Sequence, residues 1–295
     1  MSMSQQERGS IPSRVLGFMR RTEPLQRAEI LSEEEVHQEL WEILKDRPRI
    51  TVGFIPDGTR RWAKQKFSLL APVAHRLGHN KGAEKVIDIV HHFRNELPPM
   101  NLMPWGFSTD NWSRPQDEVE ALFPLLNDTV ELMVKEAIEV DGRIIHMGRK
   151  DPLYNTQGQL LIPGLPEPLR STLIKAEELT INNNGAIIAP AINYSGRDEL
   201  IRIHERYQAE IQNGELPHTT PFTPDLWFKY GDDGGALGEI TSLIRTSGEQ
   251  RTSAFGWRAD YAEFRVIDKH LPDVTNLDIE TLILDSLTAD RRFGK

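Results

Sequence analysis

The chain has 295 residues, a formal net charge of −9 at pH 7 and no cysteine. Its length allows one large domain or two small ones, its acidic balance argues against a general nucleic-acid-binding protein, and the lack of cysteine excludes disulfides, thiolate catalysis and cysteine-based zinc sites. No apolar run approaches the ~18–20 residues of a membrane span and the N-terminus has no signal-peptide pattern, so we expect a cytoplasmic protein without a nucleic-acid partner.

Residues 1–49 are predicted to be an N-terminal extension that contains one helix. Residues 1–31 are polar and mixed in charge, and we interpret them as partly disordered rather than as an amphipathic segment on a membrane surface. Ser32 and Glu35 form a capping-box pattern, so a helix should begin there and continue to about Lys45. Its buried face would carry Val36, Leu40, Ile43 and Leu44.

From residue 50 onward, predicted strands and helices alternate along the chain. Such alternation indicates a mainly parallel central sheet flanked by helices. We therefore predict one α/β domain over residues 50–295. The predicted strands cover 50–55, 101–107, 143–147, 186–192, 241–245 and 264–267, and the predicted helices cover 80–95, 116–140, 167–182, 198–212 and 277–287.

Three of these strands lead into polar residues that suit a ligand with several anionic oxygens. In open α/β sheets, ligands bind outside the carboxyl ends of the strands, and the planar donor fork of arginine matches phosphate. A single stretch of this kind is as well explained by a surface loop with solvated arginines, but three together favour a binding site. The side chains concerned are Asp57, Arg61, Ser108, Asn111, Arg114, Arg245, Arg251 and Ser253.

Two carboxylates in these stretches are candidate ligands for a divalent cation. Asp57 ends a predicted strand and precedes Gly58, which would let the backbone approach a phosphate closely. The alternative is that Asp57 only caps the following helix. Glu263 follows Ser253 by ten residues and could hold a cation against the same anion.

Four sequence runs together resemble the cis-prenyltransferase family, the undecaprenyl diphosphate synthase-like enzymes. They are PDGTRRWA at 56–63, FSTDNWSRP at 107–115, NYSGRDE at 193–199 and RTSGEQR at 245–251. The resemblance extends from about residue 50 to residue 294 and implies an α/β fold of the cis-prenyltransferase type. It implies an Mg²⁺-dependent prenyl diphosphate synthase that condenses isopentenyl diphosphate with an allylic prenyl diphosphate in cis configuration and releases pyrophosphate.

The resemblance also implies a role for each candidate residue. Asp57 would be the Mg²⁺ carboxylate and a catalytic group with Ser108 and Asn111, and Glu263 would be a second metal ligand. His79 matches the family's Gly-His-x-x-Gly-Ala and opens a predicted helix, where an anion is favoured. The allylic diphosphate would contact Gly58, Thr59, Arg60, Arg61, Trp62, His79 and Arg114, and isopentenyl diphosphate would contact Arg245, Arg251 and Ser253.

Further partners follow from the resemblance alone. In the family the glutamate at the position of Glu263 meets the partner subunit, and a tail motif like residues 292–294 reaches across the dimer. We therefore expect a homodimer that binds small prenyl diphosphates and contacts a membrane surface transiently through its product.

The predicted helix at 116–140 carries an apolar stripe with two interpretations. Such a stripe usually belongs to a hydrophobic core, whereas in the family the matching helix lines the tunnel for the growing chain. Both can hold if different faces of the helix serve the two purposes. The stripe consists of Val119, Leu122, Leu126, Val130, Met133 and Ala137.

The first motif departs from the family pattern and leaves alternatives open. Pro56 and Thr59-Arg60 replace the usual Met and Asn-Gly. Pro-Asp-Gly followed by Arg-Arg-Trp resembles divergent members that make irregular or cyclised terpenoids, but the intact run at 245–251 favours ordinary elongation. His75 stands where the family has an arginine, and whether Arg76 substitutes for that arginine is open. The alternatives are therefore an irregular prenyl-coupling enzyme or terpene synthase and, in another class, a non-catalytic subunit that binds prenyl diphosphates.

Overall fold

A seven-stranded parallel sheet forms the centre of the computed structural model, which describes residues 31–68 and 71–290. A separate antiparallel hairpin lies outside this sheet. The sheet contains β1 (Thr51–Ile55), β2 (Asn101–Ser108), β3 (Arg143–Ile144), β6 (Ile187–Ile188), β7 (Ala191–Tyr194), β8 (Ile240–Thr246) and β9 (Glu263–Ile267), and the hairpin contains β4 (Leu153–Tyr154) and β5 (Leu160–Ile162).

Strand β1 lies in the middle of the sheet and sets its geometry. The order is β3-β6-β2-β1-β8-β9, with β7 also paired to β2. Gly53 of β1 pairs with Met103 of β2 on one side and with Leu243 of β8 on the other. All five residues of β1 are buried. Because β1, β2 and β8 are adjacent and parallel, the loops that follow them meet at one edge of the sheet.

Helices flank the sheet, as the strand–helix alternation predicts. The predicted mainly parallel α/β fold is confirmed. Short 3₁₀ segments at Thr109–Ser113, Ser253–Ala259 and Leu271–Asp273 connect several elements. The α-helices of the described residues are α1 (Glu33–Lys45), α2 (Thr59–Phe67), α3 (Ala71–Glu96), α4 (Gln116–Ile138), α5 (Glu167–Thr180), α6 (Gly196–Gln212), α7 (Pro224–Lys229) and α8 (Asn276–Thr288).

Several elements differ from the sequence prediction in their extent. Helix α3 begins at Ala71, well before the predicted start at residue 80. The strand predicted at 186–192 is divided into β6 and β7, with Pro190, which has no backbone N–H, between them. Helix α7 and the β4–β5 hairpin were not predicted, because segments this short show no clear periodicity.

The helix predicted after Ser32 is confirmed and packs on the main core. The Ser32 backbone N–H donates to Glu35 Oε2 at 2.8 Å, and the Glu35 N–H donates back to Ser32 Oγ at 3.3 Å. Val36 and Leu40 of α1 are fully buried in the same hydrophobic cluster as Ile279 and Ile283 of α8. Helix α1 therefore shares the hydrophobic core of the sheet domain.

Two predictions concern the ends of the chain. The predicted disorder of residues 1–31 falls, apart from Leu31, outside the described residues, and so does the tail motif at 292–294. Among the helices that the structure describes, none combines the length and the apolar character needed to cross a membrane.

Candidate active site

A cavity of 1210 Å³ lies at the carboxyl ends of β1, β2 and β8, which exceeds the roughly 300–1,000 Å³ of common ligand pockets. One part is polar and is formed by the loops after these strands. The other part is apolar and lies between α3 and α4. The apolar part is lined by Ala83, Val86, Leu122, Leu125, Leu126, Val130, Met133 and Ile192.

The polar part of the cavity is strongly cationic although the chain as a whole is acidic. Seven arginine or lysine side chains line it, against three carboxylates. Such a local excess of positive charge in a concave site attracts anions. The cations are Arg60, Arg61, Lys64, Arg114, Arg197, Arg245 and Arg251, and the carboxylates are Asp57, Asp110 and Glu249.

Asp57 and Arg245 form an ion pair at the base of the polar part. Arg245 Nη2 donates to Asp57 Oδ2 at 2.7 Å, and the Gly58 backbone N–H donates to Asp57 Oδ1 at 2.6 Å. Burial alone would raise the pKa of the Asp57 carboxyl, but Arg245, the Gly58 N–H and Arg61 outweigh it and lower the pKa below its ordinary value. Asp57 is therefore an anion at neutral pH.

Gly58 rather than Asp57 is the N-cap of α2, so the helix-cap interpretation of Asp57 is wrong. Gly58 has φ = 90°, a left-handed conformation that disfavours other residues. A Cβ here would overlap the Ser247 hydroxyl and would lie 2.6 Å from His270 Nδ1. No side chain caps α2, so its first backbone N–H groups can bind an anion.

The loop after β8 holds Arg245 from the other side. Arg245 Nη1 donates to the Arg251 carbonyl at 2.6 Å and to Ser253 Oγ at 2.5 Å. Arg251 itself is 65% exposed, and its Nη1 lies 2.6 Å from Glu249 Oε2. The other oxygen of Glu249 accepts from Arg61 Nη1 at 3.2 Å. Glu249 therefore links the arginines that follow β1 and β8.

Glu118, near the start of α4, is a second carboxylate that pairs with two arginines. Glu118 Oε1 accepts from Arg60 Nη1 at 2.8 Å and from Arg114 Nη1 at 3.2 Å. His75 Nδ1 lies 4.0 Å from Glu118 Oε2 and the ring lines the cavity. Arg76 is exposed and is not among the cavity residues. Of these two residues, His75 and not Arg76 therefore lines the cavity.

His79 lies eight residues inside α3, so the prediction that it opens a helix is wrong. Its imidazole lines the cavity, with Nδ1 at 3.4 Å from Thr59 Oγ1 and a buried Nε2 that has no partner. Burial, followed by the nearby Arg60 and Arg114 cations, lowers the pKa of His79 to about 4. His79 is therefore neutral at pH 7 and can offer one N–H to a ligand.

Ser108 and Asn111 lie together where β2 ends. The Ser108 backbone N–H donates to Asn111 Oδ1 at 3.1 Å, which fixes the amide. Both residues line the cavity, and Ser108 is almost fully buried. The turn that they form and a role toward a ligand are therefore compatible.

Asp57 fits a hard divalent cation such as Mg²⁺. Mg²⁺ takes oxygen ligands and is commonly bound by one or two carboxylates together with substrate phosphates. Each oxygen of Asp57 accepts one short hydrogen bond and retains a further lone pair, and the side chain is 31% exposed toward the cavity. Asp57 could therefore hold such an ion against a bound diphosphate.

A single chain does not bring Glu263 to Asp57. Glu263 begins β9 opposite Ser242 and lies 3.1 Å from Arg265 Nη2, outside the cavity lining. Arg245 is paired three residues further along, roughly 10 Å away at the rise of a strand. The predicted metal site with both carboxylates is therefore not formed within one chain.

Trp62 is also outside the cavity lining. It is 9% exposed, its Nε1 donates to Asp273 Oδ1 at 2.9 Å, and its ring contacts Phe67 edge-on. The indole packs between α2 and the segment at Leu271–Asp273. The position of Trp62 therefore does not support the prediction that it contacts the substrate. The other predicted site residues line the one cavity: Asp57, Gly58, Thr59, Arg60, Arg61, His79, Ser108, Asn111, Arg114, Arg245, Arg251 and Ser253.

A family model described as "Putative undecaprenyl diphosphate synthase" matches residues 55–294. The chain belongs to this cis-prenyltransferase family. The isoprenyl transferase of Clostridium acetobutylicum is 32% identical over 245 residues, which cover 82% of this chain and 88% of the relative. The ditrans,polycis-undecaprenyl-diphosphate synthase ((2E,6E)-farnesyl-diphosphate specific) of Micrococcus luteus is 33% identical over 249 residues, which cover 82% of this chain and 90% of the relative.

Two solved structures show the same fold. Lavandulyl diphosphate synthase from Lavandula x intermedia, in complex with dimethylallyl diphosphate, has a TM-score of 0.71 at 24% identity and covers 86% of this chain and 100% of its own. A probable undecaprenyl diphosphate synthase from Campylobacter jejuni has a TM-score of 0.60 at 20% identity and covers 84% and 100%. At these identities the likeness concerns the fold alone.

This member of the cis-prenyltransferase family is a prenyltransferase, as the motifs predict. The names of its relatives favour chain elongation over irregular coupling. The resemblance to lavandulyl diphosphate synthase extends only to the fold and does not change that preference.

Several charged residues at the cavity were not predicted from the sequence: Lys64, Asp110, Arg197 and Glu249 line it, and Glu118 lies beside it, paired with Arg60 and Arg114. Glu118 stands four residues after Arg114, a helical spacing at which opposite charges pair. Glu249 and Arg197 lie inside two of the quoted motifs. The spacing of Glu118 was a usable signal, whereas only the fold shows that Glu249 and Arg197 point to the same cavity.

The low pKa of His79 predicts a specific loss of stability in acid. The unfolded imidazole takes up a proton near its ordinary pKa of 6.5, but the folded one does so only near 4, so acid favours the unfolded chain. Between pH 7 and pH 5 this single group should remove about 2 kcal/mol of unfolding free energy. In urea unfolding, His79→Gln should lose roughly that part of the pH dependence, while the exposed-residue control His218→Gln should retain all of it. Equal pH dependence in both variants would contradict the assignment.

Proposed function

We propose that this enzyme acts in the cytoplasm and condenses isopentenyl diphosphate with an allylic prenyl diphosphate, forms the new double bond in cis configuration and releases pyrophosphate. The observation that carries the proposal is one cavity with a cationic part around Asp57 and an apolar part between α3 and α4. The cationic part suits two diphosphates, and the apolar part suits a growing hydrocarbon chain. The family and its relatives' names support the same reaction.

The reaction sets three physical demands on the site. The C1–O bond of the allylic substrate breaks and its electron pair leaves with pyrophosphate, so the leaving anion must be stabilised. The double bond of isopentenyl diphosphate then forms the new C–C bond, so both diphosphates must be held close together. A proton finally leaves the isopentenyl unit, and water must be kept from the developing cation.

The allylic diphosphate would bind at the start of α2. The first N–H groups of this helix have no side-chain cap and can donate to it. Arg61 and Arg114 add further donors and positive charge. The unpartnered Nε2 of His79 is buried in the same wall, and a buried polar atom of this kind is costly without a partner. A diphosphate oxygen would satisfy it if the imidazole carries its proton on Nε2.

Isopentenyl diphosphate would bind at the loop after β8. Arg251 is exposed to the cavity and Ser253 is held beside Arg245. Arg245 already donates to Asp57, to the Arg251 carbonyl and to Ser253. It therefore positions the loop, and it also adds positive charge near the diphosphate. Ser108 and Asn111, fixed at the end of β2, are placed for the proton removal that completes the reaction.

Asp57 would hold Mg²⁺ against the diphosphates, and the ion would supply positive charge that stabilises the leaving pyrophosphate. Because the carboxyl is ionised at neutral pH, no proton has to be displaced first. Glu263 would contribute from β9, the edge strand of the sheet, to the site of a second copy in a homodimer. Membrane contact would be transient and made through the apolar product.

The function is tested by incorporation of labelled isopentenyl diphosphate into a longer diphosphate, with Mg²⁺ and allylic primers of different length. Asp57→Asn keeps the shape but removes the charge, and turnover should fall by ~10²–10³ or more. A parallel reaction with the allylic substrate alone should give no product above the no-enzyme control. No incorporation with any primer would reject the proposal, and product without isopentenyl diphosphate would favour irregular coupling.

The two proposed diphosphate sites predict different effects of two variants. Arg251→Ala removes a charge-assisted contact worth roughly 1.5–3 kcal/mol, so the KM for isopentenyl diphosphate should rise about 10- to 150-fold. His79→Ala removes a neutral hydrogen bond of about 0.5–1.5 kcal/mol and should raise the KM for the allylic primer by about 2- to 13-fold. Arg76→Ala, outside the cavity, should change neither value. Equal effects of Arg251→Ala on both substrates would contradict the division into two sites.

The apolar part of the cavity predicts control of product length. Met133 lines it eleven residues after Leu122 on α4, about 16 Å further along the helix. Met133→Phe should shorten the products and Met133→Ala should lengthen them, as resolved by reversed-phase chromatography of the labelled chains. Leu132→Ala, at a neighbouring residue that is 42% exposed and absent from the lining, is the control. Identical product lengths in all three variants would show that this end does not bind the chain.

A further inference from the structure

Three side chains from three helices converge away from the catalytic cavity. They are His37 on α1, His92 on α3 and Glu280 on α8, and none of them lines that cavity. His37 Nδ1 lies 3.2 Å from both oxygens of Glu280, and His92 Nε2 lies 2.5 Å from Glu280 Oε1. One ligand atom from each residue lies within 4.8 Å of the other two.

The carboxylate in this cluster is buried without a permanently charged partner. Glu280 has a side-chain exposure of 4%, while His92 has 17% and His37 has 34%. Within residues 31–68 and 71–290, the ion pairs recorded for Glu280 are those with the two imidazoles, and no lysine or arginine takes part. A buried carboxylate is costly unless a cation or several donors compensate it. A bound cation would supply that charge.

The chemistry of the three ligands selects the class of cation. Two imidazole nitrogens and one carboxylate oxygen form a ligand set that zinc and related first-row ions take in proteins. Ligands at about 2.0–2.2 Å from a tetrahedral ion stand about 3.4 Å apart, close to the 3.2 Å separations of His37 from Glu280. The distance between His92 Nε2 and Glu280 Oε1 would have to increase by nearly 1 Å. Water can reach the fourth coordination position of the ion past the partly exposed His37.

We propose that His37, His92 and Glu280 bind one divalent transition-metal ion of the zinc type, and that this ion fastens α1 to the catalytic domain. Helix α1 precedes the region that the family model matches, which begins at residue 55. Its other attachment is apolar, through Val36 and Leu40. An ion shared by α1, α3 and α8 adds a directional link to this non-directional packing.

The test is Zn²⁺ binding to the full chain, purified without a histidine tag, stripped with a chelator and kept in excess Mg²⁺. Mg²⁺ prefers oxygen ligands and so occupies carboxylate sites without competing for imidazoles. Competition with a chromophoric zinc chelator should show one Zn²⁺ per chain with micromolar or tighter affinity. His37→Asn and His92→Asn should each weaken binding by at least about 10-fold, the loss that even an outer partner of a metal ligand can bring. The control His91→Asn removes a neighbouring imidazole that is 57% exposed and should bind as the wild type does.

Two further measurements test the metal site even if one of the variants misfolds. Zn²⁺ should raise the Tm of the wild type and of His91→Asn, but not that of folded His37→Asn, because only a native site stabilises the fold. X-ray absorption of the Zn²⁺-loaded wild type should show scattering from two imidazoles. Absence of stoichiometric binding, fewer than two imidazoles on the ion, or unchanged affinity in both His37→Asn and His92→Asn would overturn the proposal. None of these readouts depends on prenyl transfer.

Discussion

The ion pair between Asp57 and Arg245 depends on the register of the central sheet and in turn shapes the site. Ile55 of β1 is paired with Arg245 of β8, so the chain that leaves β1 passes the guanidinium within two residues. The 2.7 Å contact orients Arg245, whose other nitrogen then holds the Arg251 carbonyl and Ser253. One pairing between two parallel strands therefore positions the proposed metal carboxylate and the loop for the second diphosphate.

The cations of the cavity repel one another, and two carboxylates hold them close together. Glu118 accepts from Arg60 and Arg114, and Glu249 accepts from Arg61 and Arg251. The contacts of Glu249 are exposed and those of Glu118 are partly buried. Exposed ion pairs are individually weak, so a diphosphate with several charged oxygens can replace those of Glu249. Burial, and after it the same cations, lower the pKa of His79, which leaves that imidazole neutral at pH 7.

Helix α4 serves both the core and the cavity. Val119 and Ala137 are buried in the main hydrophobic cluster, whereas Leu125 and Leu126 line the apolar part of the cavity. Val130 and Met133 belong to both sets. An α-helix completes one turn every 3.6 residues, so one wide apolar stripe can cover two neighbouring faces of α4. One face can then pack in the core while the other lines the cavity, and the two interpretations of the stripe do not exclude each other.

The sequence by itself determined the α/β alternation, the family and the polar residues at the strand ends, because these depend on local periodicity and on short motifs. Only the tertiary structure decided which residues share the cavity. In the folded chain, Trp62 packs against the segment that holds Asp273. Glu263 lies on an edge strand of the sheet, and His79 lies in the interior of a helix. The tertiary structure also brought Glu249 between two arginines from different loops. Such neighbours are far apart along the chain, and only strand order and register bring them together.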